Sequence, residues 1–273
     1  MDLQGMYDRH PINEQQALAS AIRRRGGHAE GLTADELFDF DQDHYGGLPA
    51  VEALARRAAI TGTSRVLDVC AGLGGPARFL TTRYGCQVVG VELHAGRAAG
   101  AARLTRMVRL AGRVVVVRGD ATALPFGPGR FDACVSQEAL LHIPDKARVL
   151  GECRRVLRPG GRLAFTDWIV HPRLGDRERR TLGDWMAAVN LQTLPGYRAL
   201  LARAGFGAVD TEDLTDEWRP ILRRRLEMYA ALAPETIARY GEARYAEYQR
   251  IYAFFVELVE AGKLGGGRFS ATA

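Results

Sequence analysis

The segment that decides the fold reads Val66-Leu67-Asp68-Val69-Cys70-Ala71-Gly72-Leu73-Gly74-Gly75-Pro76-Ala77. It predicts a strand that enters a glycine-rich turn and then opens a helix. Glycines let the backbone approach a bound ligand, and the helix N-terminus offers free N–H groups. Gly72-x-Gly74-x-x-Ala77 also fits the dinucleotide-binding fingerprint, so the neighbouring residues must decide which ligand this turn binds.

Outward from this turn, short apolar runs alternate with longer helical stretches. The predicted strands are 65–69, 87–91, 114–118, 132–136 and 161–167, and the predicted helices between them are 76–84, 95–111 and 146–157. Near-continuous apolar strands separated by helices are typical of a parallel sheet covered on both faces. The core is therefore predicted to be a doubly wound α/β domain.

The flanks of this core are predicted to be mostly helical. Before it come an amphipathic stretch at 14–24, a capping box at Thr33 and Glu36, and a helix at 51–60. After it, the periodicity predicts helices at 176–190, 196–204 and 220–261, a strand at 208–213 and a last strand at 268–273. We divide the chain into an N-terminal helical lid (1–47), an α/β core (48–171), a helical cap with the sixth strand (172–263) and a last core strand (264–273).

Composition excludes several classes of protein. The 273 residues are 47% hydrophobic and 25% charged, which is ordinary for a compact domain and unlike a disordered chain. No apolar run approaches the roughly 20 residues of a membrane-spanning helix, and the first ten residues lack the basic-then-apolar pattern of a signal peptide. We expect a cytoplasmic protein with no membrane partner.

The charges and cysteines predict neither a nucleic-acid partner nor a metal. The net charge of +5 includes arginine clusters at 23–25, 177–180 and 223–225, but these are short and interleaved with acids, as on solvated helix faces. The four cysteines show no C-x-x-C pair and no histidine at metal spacing: Cys70, Cys86, Cys134 and Cys153. We expect no disulfide and no metal site. The oligomeric state stays open, a homo-oligomer included.

Three carboxylates follow three successive strands, and they decide the ligand. Asp68 lies just before the glycine turn, where it would repel a pyrophosphate and attract a cationic amino-acid ligand. Glu92 follows the second strand and can accept hydrogen bonds from both hydroxyls of a ribose, and Asp120 can accept from the exocyclic amine of adenine. The arrangement predicts a positively charged nucleoside ligand.

With these residues the chain resembles class I S-adenosylmethionine-dependent methyltransferases of the small-molecule branch, which includes sarcosine and dimethylglycine N-methyltransferases, phosphoethanolamine methyltransferases and tocopherol-type C-methyltransferases. The matching segments are 68–76, Asp120-Ala121 with Leu124-Pro125-Phe126, Phe131-Asp132, 157–161, 40–47 and 258–269. The resemblance implies a Rossmann-like doubly wound sheet of seven strands, mostly parallel with the last strand antiparallel.

The resemblance also implies the cofactor, S-adenosylmethionine, and its product, S-adenosylhomocysteine. The implied contacts are Asp68, Ala71, Gly72, Gly74 and Gln137 at the methionine part, Glu92 and Leu93 at the ribose and adenine, Asp120 and Ala121 at the adenine edge, and Gln42, His44 and Tyr45 in a lid. One departure is Cys70-Ala71-Gly72, where most relatives carry Gly-Cys-Gly. Because a cysteine side chain disfavours left-handed backbone, we expect the turn to differ locally without loss of binding.

Methyl transfer by in-line displacement requires a positioned acceptor and a group that removes its proton. His142 follows the fourth strand at the ligand-binding end of the sheet, and imidazole titrates near neutral pH. Phosphoethanolamine methyltransferases carry a functional histidine at the matching position. We expect His142 to be the base and Asp167 to be its partner or alternate, although a histidine that merely caps the loop before Pro144 is the competing interpretation.

The acceptor pocket is expected between the cap and the sheet. Its aromatic candidates are Tyr45, Trp168, Trp185, Tyr197 and Trp218, which could hold an aromatic or isoprenoid acceptor or stabilise an ammonium group. Arg219 and the cluster at 223–225 would meet an anionic group if their helix faces inward. Whether N, C or O is methylated stays open, and a natural product or small metabolite is the expected acceptor.

Two other functions compete with this hypothesis. A cyclase-like or regulatory protein would bind S-adenosylmethionine without methyl transfer, and production of S-adenosylhomocysteine separates the two. A nicotinamide-dependent oxidoreductase would bind NAD, but Asp68 argues against it. The helical cap, and Ser136-Gln137-Glu138-Ala139 where nucleic-acid enzymes carry an Asn-Pro-Pro-Tyr-type motif, argue against a nucleic-acid substrate.

Overall fold

The computed structural model describes residues 3–8, 10 and 12–273. The strands are β1 (Arg65–Val69), β2 (Gln87–Glu92), β3 (Val114–Arg118), β4 (Phe131–Gln137), β5 (Leu157–Val170), β6 (Gly207–Asp213) and β7 (Leu264–Thr272). The helices are α1 (Leu3–Asp8), α2 (Glu14–Arg24), α3 (Ala34–Leu37), α4 (Gly47–Arg57), α5 (Gly75–Tyr84), α6 (Ala95–Met107), α7 (Lys146–Val156), α8 (Asp176–Met186), α9 (Leu194–Arg203), α10 (Thr215–Ala231), α11 (Ala233–Tyr240) and α12 (Glu242–Glu260). Residues 1, 2, 9 and 11 of the expected lid lie outside the described residues.

The seven strands form one sheet in the order β3-β2-β1-β4-β5-β7-β6. Strands β1 to β5 pair in parallel, whereas β7 runs antiparallel between β5 and β6. The chain reverses its direction of travel across the sheet between β1 and β4, which is the switch point where open α/β sheets bind ligands. The predicted doubly wound fold is confirmed.

Several predicted boundaries were wrong, among them the end of the helix predicted at 176–190, which is Met186. Strand β5 extends to Val170 because β7 pairs with it from Arg162 onward. Helix α6 ends at Met107, and Arg109 then takes a left-handed conformation with φ +60°. The helical stretch predicted at 220–261 begins at Thr215 and divides into three helices.

The glycines at 265–267 were expected to precede the last strand, but they belong to it. A Cβ atom on Gly266 would lie 2.3 Å from the indole of Trp218 in α10. A Cβ atom on Gly265 would likewise meet Thr215 of α10. These two glycines let the cap pack directly on β7, and this close approach fixes the position of α10 over the sheet.

Alternate residues of each strand enter two cores on opposite faces of the sheet. In β1, Val66 belongs to the core under the lid and cap, whereas Leu67 belongs to the core under α7 and α9. In β5, Trp168 faces the first core and Ile169 the second. This alternation decides below which side chains can reach the acceptor. No helix among the described residues is long and apolar enough to cross a membrane.

Candidate active site

Two cavities meet above the carboxyl ends of the strands. The first, called here the strand-end cavity, is lined by Asp68, Glu92 and Asp120, and its space, part of it open to solvent, is about 950 Å³. The second, called here the cap cavity, lies beneath α10 and α12 and is lined by Tyr45 and Trp168, and its space, part of it open to solvent, is about 700 Å³. Four residues line both cavities: Tyr7, Asp43, Glu138 and His142. A small ligand in each cavity would therefore meet the other at these four side chains.

The glycine-rich turn gains its curvature from left-handed residues. Cys70, Gly72 and Gly74 have φ values of +63°, +55° and +74°. Cys70 adopts the left-handed conformation although a cysteine side chain disfavours it. Gly74 faces away from the cavity, since a Cβ atom there would meet Arg78 and Ala101. Ala71 and Gly72 line the strand-end cavity instead.

Asp68 is the buried acid of the strand-end cavity. Its residue is 4% exposed, and one carboxylate oxygen has no hydrogen-bond partner among the described residues. Burial, with a further contribution from Glu92, raises the pKa of Asp68 to about 7. An acid in this state is suited to a cationic ligand group that would supply the missing partner.

Glu92 and Asp120 are held in place by backbone groups. The Glu92 carboxylate accepts hydrogen bonds from the N–H groups of Gly72 and His94, both at 2.8 Å. The Asp120 carboxylate accepts from the N–H of Thr122 at 2.8 Å. The Thr122 hydroxyl donates to the same oxygen, Oδ1 of Asp120, at 2.8 Å. Each oxygen of Glu92 keeps a second lone pair and Asp120 keeps its other oxygen, so both acids can still accept from a ligand hydroxyl or amine.

Two other side chains on the wall of this cavity, Gln137 and Leu93, leave a polar atom without a partner in the described part of the chain or an apolar surface exposed. The side-chain amide nitrogen of Gln137 is buried without a partner among the described residues. Leu93 is 44% exposed, and both Leu93 and Ala121 line the cavity. A flat apolar ligand group between Leu93 and Ala121 would cover this surface.

Charged residues connect the lid to the core. Asp41 accepts from the Arg78 guanidinium at 2.7 Å, and both side chains are fully buried. Asp43 accepts from Arg97 at 2.9 Å. The backbone oxygens of Asp43 and His44 accept from Arg225 of α10, at 3.2 and 2.6 Å. The lid is thus attached to the glycine turn, to α6 and to the cap.

The predicted lid residues divide between the two cavities. His44 lines the strand-end cavity, and burial lowers its pKa to about 4. Its ring is held by the side-chain oxygen of Gln42, 2.8 Å from Nε2. Tyr45, expected at both ligands, lines only the cap cavity, where its ring packs edge-to-face on Trp218.

His142 lies at the boundary of the two cavities with both ring nitrogens engaged. Nδ1 lies 3.0 Å from the carbonyl oxygen of Ala187, which can only accept, so Nδ1 carries the proton in the neutral ring. The other nitrogen, Nε2, lies 3.3 Å from the hydroxyl of Tyr7. Burial lowers the pKa of His142 to about 4, so the ring is neutral at neutral pH.

Asp167 does not pair with His142, contrary to the expectation. It is fully buried and accepts hydrogen bonds from the Tyr197 hydroxyl and from the N–H of Leu141. Tyr197 is likewise not an acceptor-pocket residue, because it packs against Phe165 and Phe269 in the core on the opposite face. Asp167 and Trp168 are adjacent in β5, so their side chains point to opposite faces of the sheet.

Lys146 supports the turn that carries His142. The ammonium is buried, and it donates hydrogen bonds to the carbonyl oxygens of Leu140 and Asn190. These two bonds join the turn at 140–142 to the segment 187–190, which contains the carbonyl group bonded to His142. Burial lowers the pKa of Lys146 to about 8.

The cap contributes aromatic and cationic side chains to its cavity. Trp168 and Trp185 line it as expected, whereas Trp218 is packed in the core between Gly266 and Tyr45. Arg219 and Arg223 form ion pairs outside the cavity with Asp216 and Glu260. The inward-facing arginines are Arg225 and Arg244.

Sequence analysis also missed Glu138, which lines both cavities. Its backbone has φ +43°, an uncommon conformation for a residue other than glycine, and its carboxylate accepts from the N–H of Tyr45 at 2.7 Å. Burial raises the pKa of Glu138 to about 7. Backbone strain of this kind is concentrated at functional sites.

Comparison with known proteins gives the family. Residues 67–165 match the model of a methyltransferase domain. The chain is 30% identical to the methyltransferase GfsG of Streptomyces halstedii over 92% of its own length and 96% of that protein. It is 32% identical to the glycine/sarcosine/dimethylglycine N-methyltransferase of Actinopolyspora halophila, covering 82% of this chain and 40% of that one.

A solved structure agrees with these sequence relatives. The putative sarcosine dimethylglycine methyltransferase of Galdieria sulphuraria superposes with a TM-score of 0.75 at 25% identity, covering 94% of this chain and 97% of the other. The likeness thus includes the lid and the cap as well as the core. The chain belongs to the S-adenosylmethionine-dependent methyltransferases that act on small molecules.

Proposed function

We propose that the strand-end cavity binds S-adenosylmethionine, that the cap cavity binds the methyl acceptor, and that His142 is the general base. The observation that carries this assignment is the set of four residues lining both cavities, His142 among them. Methyl transfer requires donor and acceptor to meet in line, and these residues surround the place where the two cavities meet.

The strand-end cavity fits the cofactor in charge and in hydrogen bonding. The free carboxylate oxygen of Asp68 is matched to the ammonium of the methionine part, and the free amide nitrogen of Gln137 can donate to its carboxylate. Glu92 would hold the ribose hydroxyls, and Asp120 the adenine amine. The exposed side chain of Leu93 would pack on one face of the adenine ring.

When bound, S-adenosylmethionine supplies a methyl group on a sulfonium sulfur, which leaves as the thioether S-adenosylhomocysteine. His142 prepares the acceptor for this step. The Ala187 carbonyl keeps the proton on Nδ1, so the Nε2 lone pair is available for the proton of an acceptor O–H or N–H. Tyr7 donates to the same nitrogen before the acceptor binds, and its hydroxyl can pass the acceptor's proton to Nε2.

The lid and cap are joined to each other and to the core around this place. Asp43 joins the lid to α6 through Arg97, and Arg225 joins it to α10. We infer that lid and cap act with the core as the acceptor-binding part of the enzyme. We also infer that the acceptor is a natural product or small metabolite, because side chains of the lid, the core and the cap all line the cap cavity and leave a concave space of the size that small ligands occupy.

The test is methyl-labelled S-adenosylmethionine incubated with the protein and candidate acceptors. A labelled product together with S-adenosylhomocysteine supports the proposal. Cofactor binding with neither product would favour a cyclase-like or regulatory protein. If His142→Ala abolishes product formation but leaves cofactor affinity intact, the base assignment is supported.

A further inference from the structure

We propose that the cap cavity selects an acceptor that carries an anionic oxygen group, such as a carboxylate, and that Arg244 of α12 is the residue that recognises it. This inference rests on the proposed function, because it names the chemical class of the acceptor in that same cavity.

The first observation is a surplus of hydrogen-bond donors on the cavity wall. Trp168, Arg244 and Tyr252 all line the cap cavity. The indole N–H of Trp168, Nε of Arg244 and the hydroxyl of Tyr252 are buried without a partner among the described residues. A buried polar group without a partner is costly, so three in one cavity indicate a ligand that offers acceptors.

The second observation is the difference between the two inward-facing arginines. Arg225 is satisfied, because it donates to the backbone oxygens of Asp43 and His44 and lies 5.0 Å above the Tyr45 ring. Arg244 is 8% exposed and has Glu247, on the same helix, as its ion-pair partner at 2.8 Å. Glu247 does not line the cavity, and its side chain is 41% exposed. Arg244 therefore keeps a free donor at Nε, and the carboxylate paired with its guanidinium lies outside the cavity.

The acidic residues of the wall argue against a cationic acceptor. Asp43 is already engaged by Arg97 at 2.9 Å and lies 3.8 Å from Arg225. Glu138 accepts from the backbone of Tyr45. The aromatic rings could by themselves hold an ammonium group, but such a group would leave the free Nε donor of Arg244 without a partner and would be repelled by that guanidinium. With Arg244 at the anionic group, the rings of Trp168 and Tyr252 remain as apolar walls for the body of the acceptor.

The experiment compares two probes of similar shape and opposite charge. Benzoate and benzyltrimethylammonium are each titrated by NMR into the protein saturated with S-adenosylhomocysteine, whose own binding is first measured by calorimetry. We expect benzoate to bind at least tenfold more tightly than benzyltrimethylammonium. Arg244→Gln should remove this preference, and Arg244→Lys should retain part of it. Thermal unfolding midpoints confirm that each variant is folded.

The matched control is Arg223→Gln, which removes an arginine of α10 whose ion pair with Glu260 lies outside the cavity. Its preference should equal that of the unchanged protein. Equal or tighter binding of the ammonium probe, no binding of benzoate, or an unchanged preference in Arg244→Gln would overturn the inference. If S-adenosylhomocysteine itself fails to bind, the proposed function fails rather than this inference alone.

Discussion

The hydroxyl of Tyr7 lies 3.3 Å from Nε2 of His142, and the two rings meet edge-to-face with their centroids 5.9 Å apart. Tyr7 belongs to α1 of the lid, whereas His142 belongs to the turn after β4. The contact therefore joins a short helix of the lid to the turn at the carboxyl end of the sheet. The placement of the base thus depends on how the lid packs on the core.

Removing the base should separate catalysis from binding. His142→Ala should lower turnover by roughly 10²–10⁴-fold, because no other neutral imidazole lines both cavities among the described residues. Its affinity for S-adenosylmethionine should stay within about twofold of the unchanged protein, a margin of roughly half a kcal/mol, because Asp68, Glu92 and Asp120 remain. Calorimetry and a discontinuous assay for S-adenosylhomocysteine measure the two quantities. If the variant kept the turnover of the unchanged protein, His142 would have a structural role and would not be the base.

The Tyr7 hydroxyl should matter less than the base that it contacts. Tyr7→Phe keeps the ring over which Arg97 lies at 4.7 Å but removes the hydrogen bond to Nε2. The loss in turnover should be smaller than that of His142→Ala, on the order of tenfold, for one neutral hydrogen bond. A double variant no worse than His142→Ala alone would show that the two act as a unit.

The pH dependence of cofactor binding should follow Asp68. Its pKa of about 7 in the free protein means that the carboxylate is protonated below that pH, when it no longer attracts an ammonium group. Affinity for S-adenosylmethionine should fall as the pH drops below 7, by up to about tenfold per unit. Asp68→Asn should weaken binding at pH 8 by about 1–3 kcal/mol and abolish this pH dependence.

Stability of the free protein should change in the opposite sense. The pKa of Asp68 is about 7 in the folded protein and lower, at the ordinary value of an aspartate, in the unfolded chain. Between these two pKa values the folded state therefore binds one more proton than the unfolded state. The contribution of Asp68 to the free energy of unfolding is therefore present at low pH and lost as the pH rises through about 7. Asp68→Asn should flatten this dependence in chemical denaturation. Asp132→Asn, at the opposite end of the sheet, is the control, and an identical effect of both variants would contradict the account.

Lys146 should position His142 without touching the ligands. Lys146→Met removes the donors that join Leu140 to Asn190, so the carbonyl group of Ala187 loses its fixed place beside Nδ1. Turnover should fall by roughly 10- to 100-fold through misplacement of the ring. The ¹⁵N shifts of His142 should report a mixture of tautomers. Lys263, the second of the two lysines in the chain, pairs with Glu178 at the surface, and Lys263→Met should change neither quantity.

The sequence predicted the sheet and the cofactor cavity because their signals are local. Apolar strands mark the core, and parallel strands place Asp68, Glu92 and Asp120 at one edge whatever the loops do. The error at Asp167 was avoidable, because its neighbour Trp168 was assigned to the same site and adjacent strand residues face opposite ways. Tyr197 donates a hydrogen bond to Asp167 and packs in the same core, on the face of the sheet opposite the cap cavity.

The rest of the site depends on packing between distant parts of the chain. Tyr7, Arg225 and Arg244 come from the lid and from two cap helices, and periodicity does not indicate which helix face turns inward. The close packing of Trp218 on Gly266 orients α10. Gly265 and Gly266 were the signal in the sequence for this contact, but the last strand was predicted to begin after them, at residue 268.

The most direct test of the two-cavity account is transfer of a labelled methyl group from S-adenosylmethionine to a component of a metabolite extract, measured by mass spectrometry. The account predicts one labelled product with the unchanged protein, and the same product reduced by roughly 10²–10⁴-fold with His142→Ala at equal cofactor occupancy. Equal product from both proteins, or cofactor binding without any labelled product from an extract known to contain the acceptor, would contradict it.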